Sequence, residues 1–176
     1  MNPALIGYRA SGKTVVGMLL AEMLGFECVD ADVVLVERAG CSIADIFANQ
    51  GEEAFRDLES EVIDSITQRK DVVLSLGGGA ILRERNRELI VSRCSPVTWL
   101  QATVETIAAR IDADAVSKSQ RPNLTGKGGV EEIREVLKFR TPLYESCASL
   151  LLDTENKAPA ELAKAIHQKI LSRDVD

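Results

Sequence analysis

Gly7-Tyr8-Arg9-Ala10-Ser11-Gly12-Lys13-Thr14 constrains this chain more tightly than any other stretch. The pattern G-x-x-x-x-G-K-[ST] works in one setting, with a strand before it and a helix after it. Its glycines let backbone N–H groups turn inward, and the helix N-terminus adds partial positive charge. Both flanks are legible. Ala4-Leu5-Ile6 reads as a strand, and Lys13 to Leu24 carries Val15, Val16, Met18, Leu19, Leu20, Met23 and Leu24 before a helix-stopping Gly25. That helix is apolar on most sides, which predicts a position packed inside the domain. The phosphate cradle is expected from Ala10, Ser11, Gly12, Lys13, Thr14 and Val15. Lys13 reaches the β- and γ-phosphates of a nucleoside triphosphate, and the Thr14 hydroxyl suits Mg²⁺, which prefers oxygen ligands. The motif names a donor and leaves the acceptor open.

The remaining chain alternates apolar runs with helical patterns. Strands are expected at Phe26 to Val29, Val72 to Leu76, Val97 to Leu100 and Leu150 to Leu152. Ser42 and Asp45 form a capping-box pattern that opens a short helix through Ile43, Ile46 and Phe47; Gly51 separates it from a longer one, roughly Glu52 to Gln68. A last helix is expected over about Ala158 to Leu171. Continuously apolar strands between helices predict an α/β fold with a parallel sheet covered on both faces. The polar segment 112–129, with Lys118, Arg121 and a Gly-Lys-Gly-Gly stretch, reads as a lid rather than a disordered insertion.

Composition narrows the partners. At 176 residues, one domain spanning 1–176 is expected. A formal charge of −6 argues against a nucleic-acid binder, so anions must be held by local arginines and backbone amides. Cys28, Cys41, Cys94 and Cys147 are scattered, form no C-x-x-C pair and accompany a single histidine, His167; they read as reduced core thiols. No run approaches membrane-spanning length and no signal-peptide pattern opens the chain, so a cytoplasmic protein is expected.

Several polar residues stand at candidate site positions. Asp30 and Asp32 close the second strand, where side chains two apart share one side of an extended chain. They serve either a crevice, as metal and hydroxyl partners, or a solvated turn or helix cap. Arg56 stands three residues before Glu59, at the spacing of an ordinary surface ion pair. Arg140 is expected to end a helix just before Pro142, where an arginine also serves terminal carbonyls. Gly77-Gly78-Gly79 follows the third strand and permits close backbone approach to a ligand, or simply a flexible turn.

Taken in order, these pieces resemble shikimate kinase over nearly the full chain. The resemblance is carried by the phosphate loop, Asp30-Ala31-Asp32, Ser42-Ile43-Ala44-Asp45-Ile46-Phe47, Gly51-Glu52-Glu53-Ala54-Phe55-Arg56 and Gly77-Gly78-Gly79-Ala80. Arg121-Pro122-Asn123-Leu124, Arg140-Thr141-Pro142-Leu143-Tyr144, and Asp153-Thr154 with Pro159 complete it. It implies a P-loop fold of the nucleoside-monophosphate-kinase type, with a five-stranded parallel sheet in the order 2-3-1-4-5. It further implies ATP- and Mg²⁺-dependent phosphorylation of the shikimate 3-hydroxyl on the route to chorismate, by a single-domain and often monomeric enzyme. Asp32, Arg56, Gly78, Gly79 and Arg140 would bind shikimate, with Lys13, Asp32 and Arg121 catalytic. Thr14, with Asp30 through water, would hold Mg²⁺. Arg110, Arg121, Lys157 and Pro159 would meet the nucleotide beyond the loop. No role for Arg9 follows from the resemblance. A gluconate or nucleoside-monophosphate kinase on the same fold stands beside it, as does a nucleotide-binding module without catalysis.

Overall fold

The computed structural model describes residues 2–113 and 129–172. Five strands, β1 (Asn2–Ile6), β2 (Glu27–Asp30), β3 (Val72–Ser75), β4 (Cys94–Gln101) and β5 (Leu150–Asp153), form one parallel sheet in the order β2-β3-β1-β4-β5. Between and after them run α1 (Lys13–Leu24), α2 (Ala31–Ala39), α3 (Ile43–Ile66), α4 (Glu84–Arg93), α5 (Val104–Ala113), α6 (Gly129–Cys147) and α7 (Pro159–Leu171).

Adjacent residues of a strand face opposite sides of its sheet, and the core divides accordingly. Ala4, Ile6, Leu74, Val97 and Trp99 pack under α2, α3, α4 and α6 with Leu35, Ile63, Ile90 and Tyr144. Leu5, Val73 and Leu100 face the other way, onto Val16 and Leu20 of α1 and Leu162 and Ile166 of α7. Gly17 lets α1 approach the sheet closely, since a Cβ there would stand 3.2 Å from the Cys28 Sγ. A third cluster joins Tyr8 of the phosphate loop to Ile107 and Ile111 of α5 and Ile133 of α6. Cys94 and Cys147 are buried in the first cluster.

Three local expectations need revision. The helix α1 is not enclosed: Val15, Met18 and Met23 are exposed, because only the Val16–Leu20 side meets the sheet and α7. The chain does not stay extended through Asp32. Asp30 caps α2, its carboxylate accepting from the Asp32 N–H at 3.0 Å, so Asp32 sits in the first helical turn. Arg140 does not end a helix, for α6 continues past Pro142 to Cys147.

Elsewhere the local chemistry acts as written. Ser42 and Asp45 close a reciprocal capping box, an arrangement whose loss costs about 1 kcal/mol. Gly51, at φ 83 and ψ 174, breaks α3 into two segments, a conformation open to glycine and strained for other residues. Gly25 and Gly40 cap α1 and α2 in the left-handed region.

Candidate active site

Strand register brings the site together. Asp30 pairs with Ser75, and Ser75 with Leu5, so β2, β3 and β1 end level with one another. The Asp30 cap, the glycine triplet and the phosphate loop therefore emerge side by side at one edge, where open parallel sheets bind ligands.

Two adjoining cavities lie along this edge. The larger encloses about 480 Å³ and is lined by Ala10, Lys13, Thr14, Asp30 and Ser75, with Val33, Val36 and Glu37 of α2 opposite. The narrower, about 50 Å³, is lined by Tyr8, Phe47, Phe55, Arg56, Glu59, Gly79 and Arg140. Arg9, Asp32, Ile43, Gly77 and Gly78 line both. These five residues are the wall that the two spaces share.

In the larger cavity, Lys13 is 8% exposed and donates to the Gly7 and Tyr8 carbonyls at 2.9 and 2.8 Å, bracing the loop from within. The loop turns through Ala10 at φ 60 and Gly12 at φ 96. The Thr14 hydroxyl donates to Asp30 at 2.9 Å, and the Ser75 hydroxyl approaches the same carboxylate at 3.3 Å. This donor set is all oxygen and carries one carboxylate. It fits Mg²⁺, which keeps several waters and shares its charge with substrate phosphates, rather than a metal needing a protein cage. Among the described residues no group of three or more His, Cys, Asp or Glu forms such a cage.

In the narrower cavity, Arg56 and Glu59 are not the surface pair that their spacing suggests. They are 7% and 5% exposed, with Arg56 Nη1 donating to Glu59 at 2.7 Å. Burial raises the Glu59 pKa, against the opposing pull of Arg56. The other side of the guanidinium, Nε and Nη2, donates to Oε1 of the exposed Glu52 at 3.3 and 3.2 Å. Arg140, from α6, donates to the Gly78 carbonyl at 3.0 Å, and the Tyr144 hydroxyl donates to the same oxygen at 2.6 Å. Burial pushes the Tyr144 phenol up to about 12, so it stays a donor. Tyr8 stands between two cations, with the Arg9 and Arg140 guanidinium carbons 6.0 and 5.9 Å from its ring centre.

Each triplet glycine leaves room for a particular neighbour. A Cβ on Gly77 would stand 2.9 Å from the Asp32 carboxylate, and one on Gly78 3.2 Å from the Arg9 backbone nitrogen. A Cβ on Gly79 would collide with the Arg56 guanidinium. A side chain at Gly77 or Gly79 would displace Asp32 or Arg56, and one at Gly78 would press on the loop backbone.

Asp32, Arg56, Gly78, Gly79 and Arg140 thus converge on one cavity, and Ala10, Lys13, Thr14 and Asp30 on the other. Ser11 is buried behind the loop and Gly12 caps α1, while Val15 is exposed and lines neither space. Arg110 donates at 3.3 Å both to the Ala10 carbonyl and to Thr154, bridging the loop and the end of β5. Lys157 donates to the Asp153 carbonyl at 3.1 Å and Pro159 opens α7; neither lines either of these two cavities. Of the lid expected over 112–129, residues 114–128 with Arg121 lie outside the described residues, while Asp112 and Ala113 belong to α5 and Gly129 opens α6. Sequence reasoning assigned no role to Glu52, Tyr8 or Tyr144. Tyr144 carried a signal, since it stands one helical turn after Arg140 and shares its face.

Comparison with known proteins adds three likenesses to a family match. The shikimate kinase family model matches residues 9–171. The shikimate kinase of Rhodopirellula baltica is 40% identical over 158 residues, covering 90% of this chain and 84% of that one. That of Nitratidesulfovibrio vulgaris is 43% identical over 144 residues, covering 82% and 81%. The structure of Acinetobacter baumannii shikimate kinase in complex with shikimate superposes with a TM-score of 0.91 at 37% identity, covering 99% of this chain and 95% of that one.

Proposed function

This chain belongs to the shikimate kinase family, and from that premise we propose how its own residues carry out the reaction. It phosphorylates shikimate at the expense of ATP, a step of aromatic amino-acid biosynthesis. The residue assignment rests on one observation above all: a phosphate-loop cavity and a narrow arginine-lined cavity share Asp32, Gly77 and Gly78. In this reading the larger cavity takes ATP and the narrower one shikimate.

Shikimate has one carboxylate and several hydroxyls, so it needs cations at one end and acceptors at the other. Arg56 and Arg140 hold the carboxylate through charge-assisted hydrogen bonds. Gly78 and Gly79 let the ring lie against the backbone. Asp32 accepts from the ring hydroxyls and orients the 3-hydroxyl. As that oxygen bonds to the γ-phosphorus, the bond from phosphorus to the β–γ bridging oxygen breaks. ADP carries away the released charge, and the hydroxyl proton passes to Asp32 and then to water. Phosphoryl transfer asks for positioning and charge stabilisation, so Asp32 need be only a weak base.

Lys13 exchanges the Gly7 and Tyr8 carbonyls for phosphate oxygens. Thr14 and Asp30 would hold Mg²⁺, which would supply neutralisation of the phosphate charge. Arg110 and the 157–159 segment stand on the nucleoside side. The lid role of 112–129, with Arg121 reaching ATP, is carried from the sequence; it joins α5 to α6, whose Ile107, Ile111 and Ile133 pack with Tyr8 of the loop. The enzyme works as a single-domain monomer in the cytoplasm, where ATP is supplied.

A coupled ADP-release assay with shikimate, gluconate and nucleoside monophosphates tests the reading. With ATP and Mg²⁺ present, turnover is expected with shikimate alone of these acceptors. Folded, ATP-binding protein that ignores shikimate would overturn it.

A further inference from the structure

The mechanism above leaves Arg9 without a task, although Arg9 lines both cavities. Its side chain is 16% exposed, and its buried Nε–H has no hydrogen-bond acceptor among the described residues. Nη2 lies 3.7 Å from Glu132 of α6, a carboxylate that is 1% exposed, so this pair is too long for a hydrogen bond. Arg56 and Arg140, by contrast, close hydrogen bonds at 2.7 and 3.0 Å. Buried donors without acceptors are rare, and such a donor beside a binding site points to an acceptor that arrives with the ligand.

The chemistry of transfer supplies that acceptor. Shikimate enters with a single negative charge, but the product leaves with an added phosphate monoester of nearly two more. That charge appears beside Asp32 and within reach of the buried Glu59 carboxylate. Arg56 and Arg140 are engaged by the ring carboxylate, and Lys13 by the donor phosphates. Arg9 stands at the shared wall that the phosphoryl group crosses.

We propose that Arg9 receives the phosphoryl group, exchanging its loose contact with Glu132 for phosphoryl oxygens and then holding the phosphate ester of the product. Glu132 keeps the guanidinium poised between turnovers, away from Asp32. This proposal rests on reading the two cavities as donor and acceptor sites.

Its signature is selectivity between product and substrate. In Arg9→Met the dissociation constant of shikimate 3-phosphate, measured by calorimetry, should weaken about tenfold or more, and kcat should fall by a similar factor. The dissociation constant of shikimate should stay within about threefold of wild type, and Arg9→Lys should recover part of both losses. Should Arg9→Met fail to fold, Arg9→Gln keeps a polar side chain without the charge and carries the same test. Product and substrate affinities that weaken together, or a kcat and product affinity that stay unchanged, would overturn the role of Arg9 alone. A wild-type protein that neither binds nor turns over shikimate would overturn the underlying reading, and the proposal with it.

Discussion

The two cavities are built on different principles. The larger cavity, proposed as the donor site, is centred on a loop, with a helix N-terminus and one lysine that braces the loop through its own carbonyls. The narrower cavity, proposed as the acceptor site, is centred on side chains from α2, α3 and α6, spaced by glycines that leave their neighbours room. The first depends on local conformation and the second on packing between distant elements. Damage to the first should be read in catalysis, and damage to the second in acceptor binding.

Lys13→Ala should bring the largest change, on the order of 10²–10³ in kcat, because it removes charge from the transferring group. Shikimate affinity measured without nucleotide should hardly move. An equal loss of shikimate binding would mean that the two sites are not separable.

Gly79→Ala reverses the pattern. The added Cβ displaces the Arg56 guanidinium, and losing charged hydrogen bonds worth about 1.5–3 kcal/mol should raise the shikimate KM by roughly ten- to a hundredfold. The KM for ATP should stay put. An unchanged shikimate KM would remove Arg56 from the acceptor site.

Glu59 sharpens the comparison through pH. Its folded-state pKa is raised above 4.5 by burial, so the folded chain binds this proton more tightly than the unfolded chain. Protonation therefore favours the fold, and that contribution is lost as pH rises from about 4.5 through the raised value. The melting temperature of wild type relative to Glu59→Gln should fall with rising pH across that window. A difference that grows instead would give the shift the opposite sign. The donor loop tests the small end. Ala10 holds φ 60 without being glycine, so Ala10→Gly should add up to about 1 kcal/mol of stability in urea unfolding. A loss of stability would mean that the loop gains more from the Ala10 methyl than it loses in strain.

These two principles also decide what the sequence discloses. The phosphate loop, the sheet order and the Ser42 capping box are short-range patterns or follow from a family likeness, and each was legible. The burial of Arg56 and Glu59 was not, because their i,i+3 spacing looks the same on a wet helix face and a dry one. The start of α2 was missed for a related reason: Asp30-Ala31-Asp32 suits both a strand end and a helix cap, and only the carboxylate–amide bond at Asp32 decides between them. Arg140 was misjudged by a proline that the helix absorbs. The meeting of Asp32, Arg56 and Arg140 spans more than a hundred residues of chain, and no local rule reports such a closure.

The exposed Glu52 carboxylate occupies the fork of Arg56 that the acceptor's own carboxylate would claim. One edge of the Arg56 guanidinium is thus held by a carboxylate of its own chain, tethered next to the Gly51 break. Under the proposed assignment, binding there exchanges one carboxylate for another, and the affinity is the difference between them. A shikimate analogue stripped of its carboxylate has nothing to offer in that exchange. It should bind poorly even where its ring fits, so the choice of acceptor is made partly by what must leave.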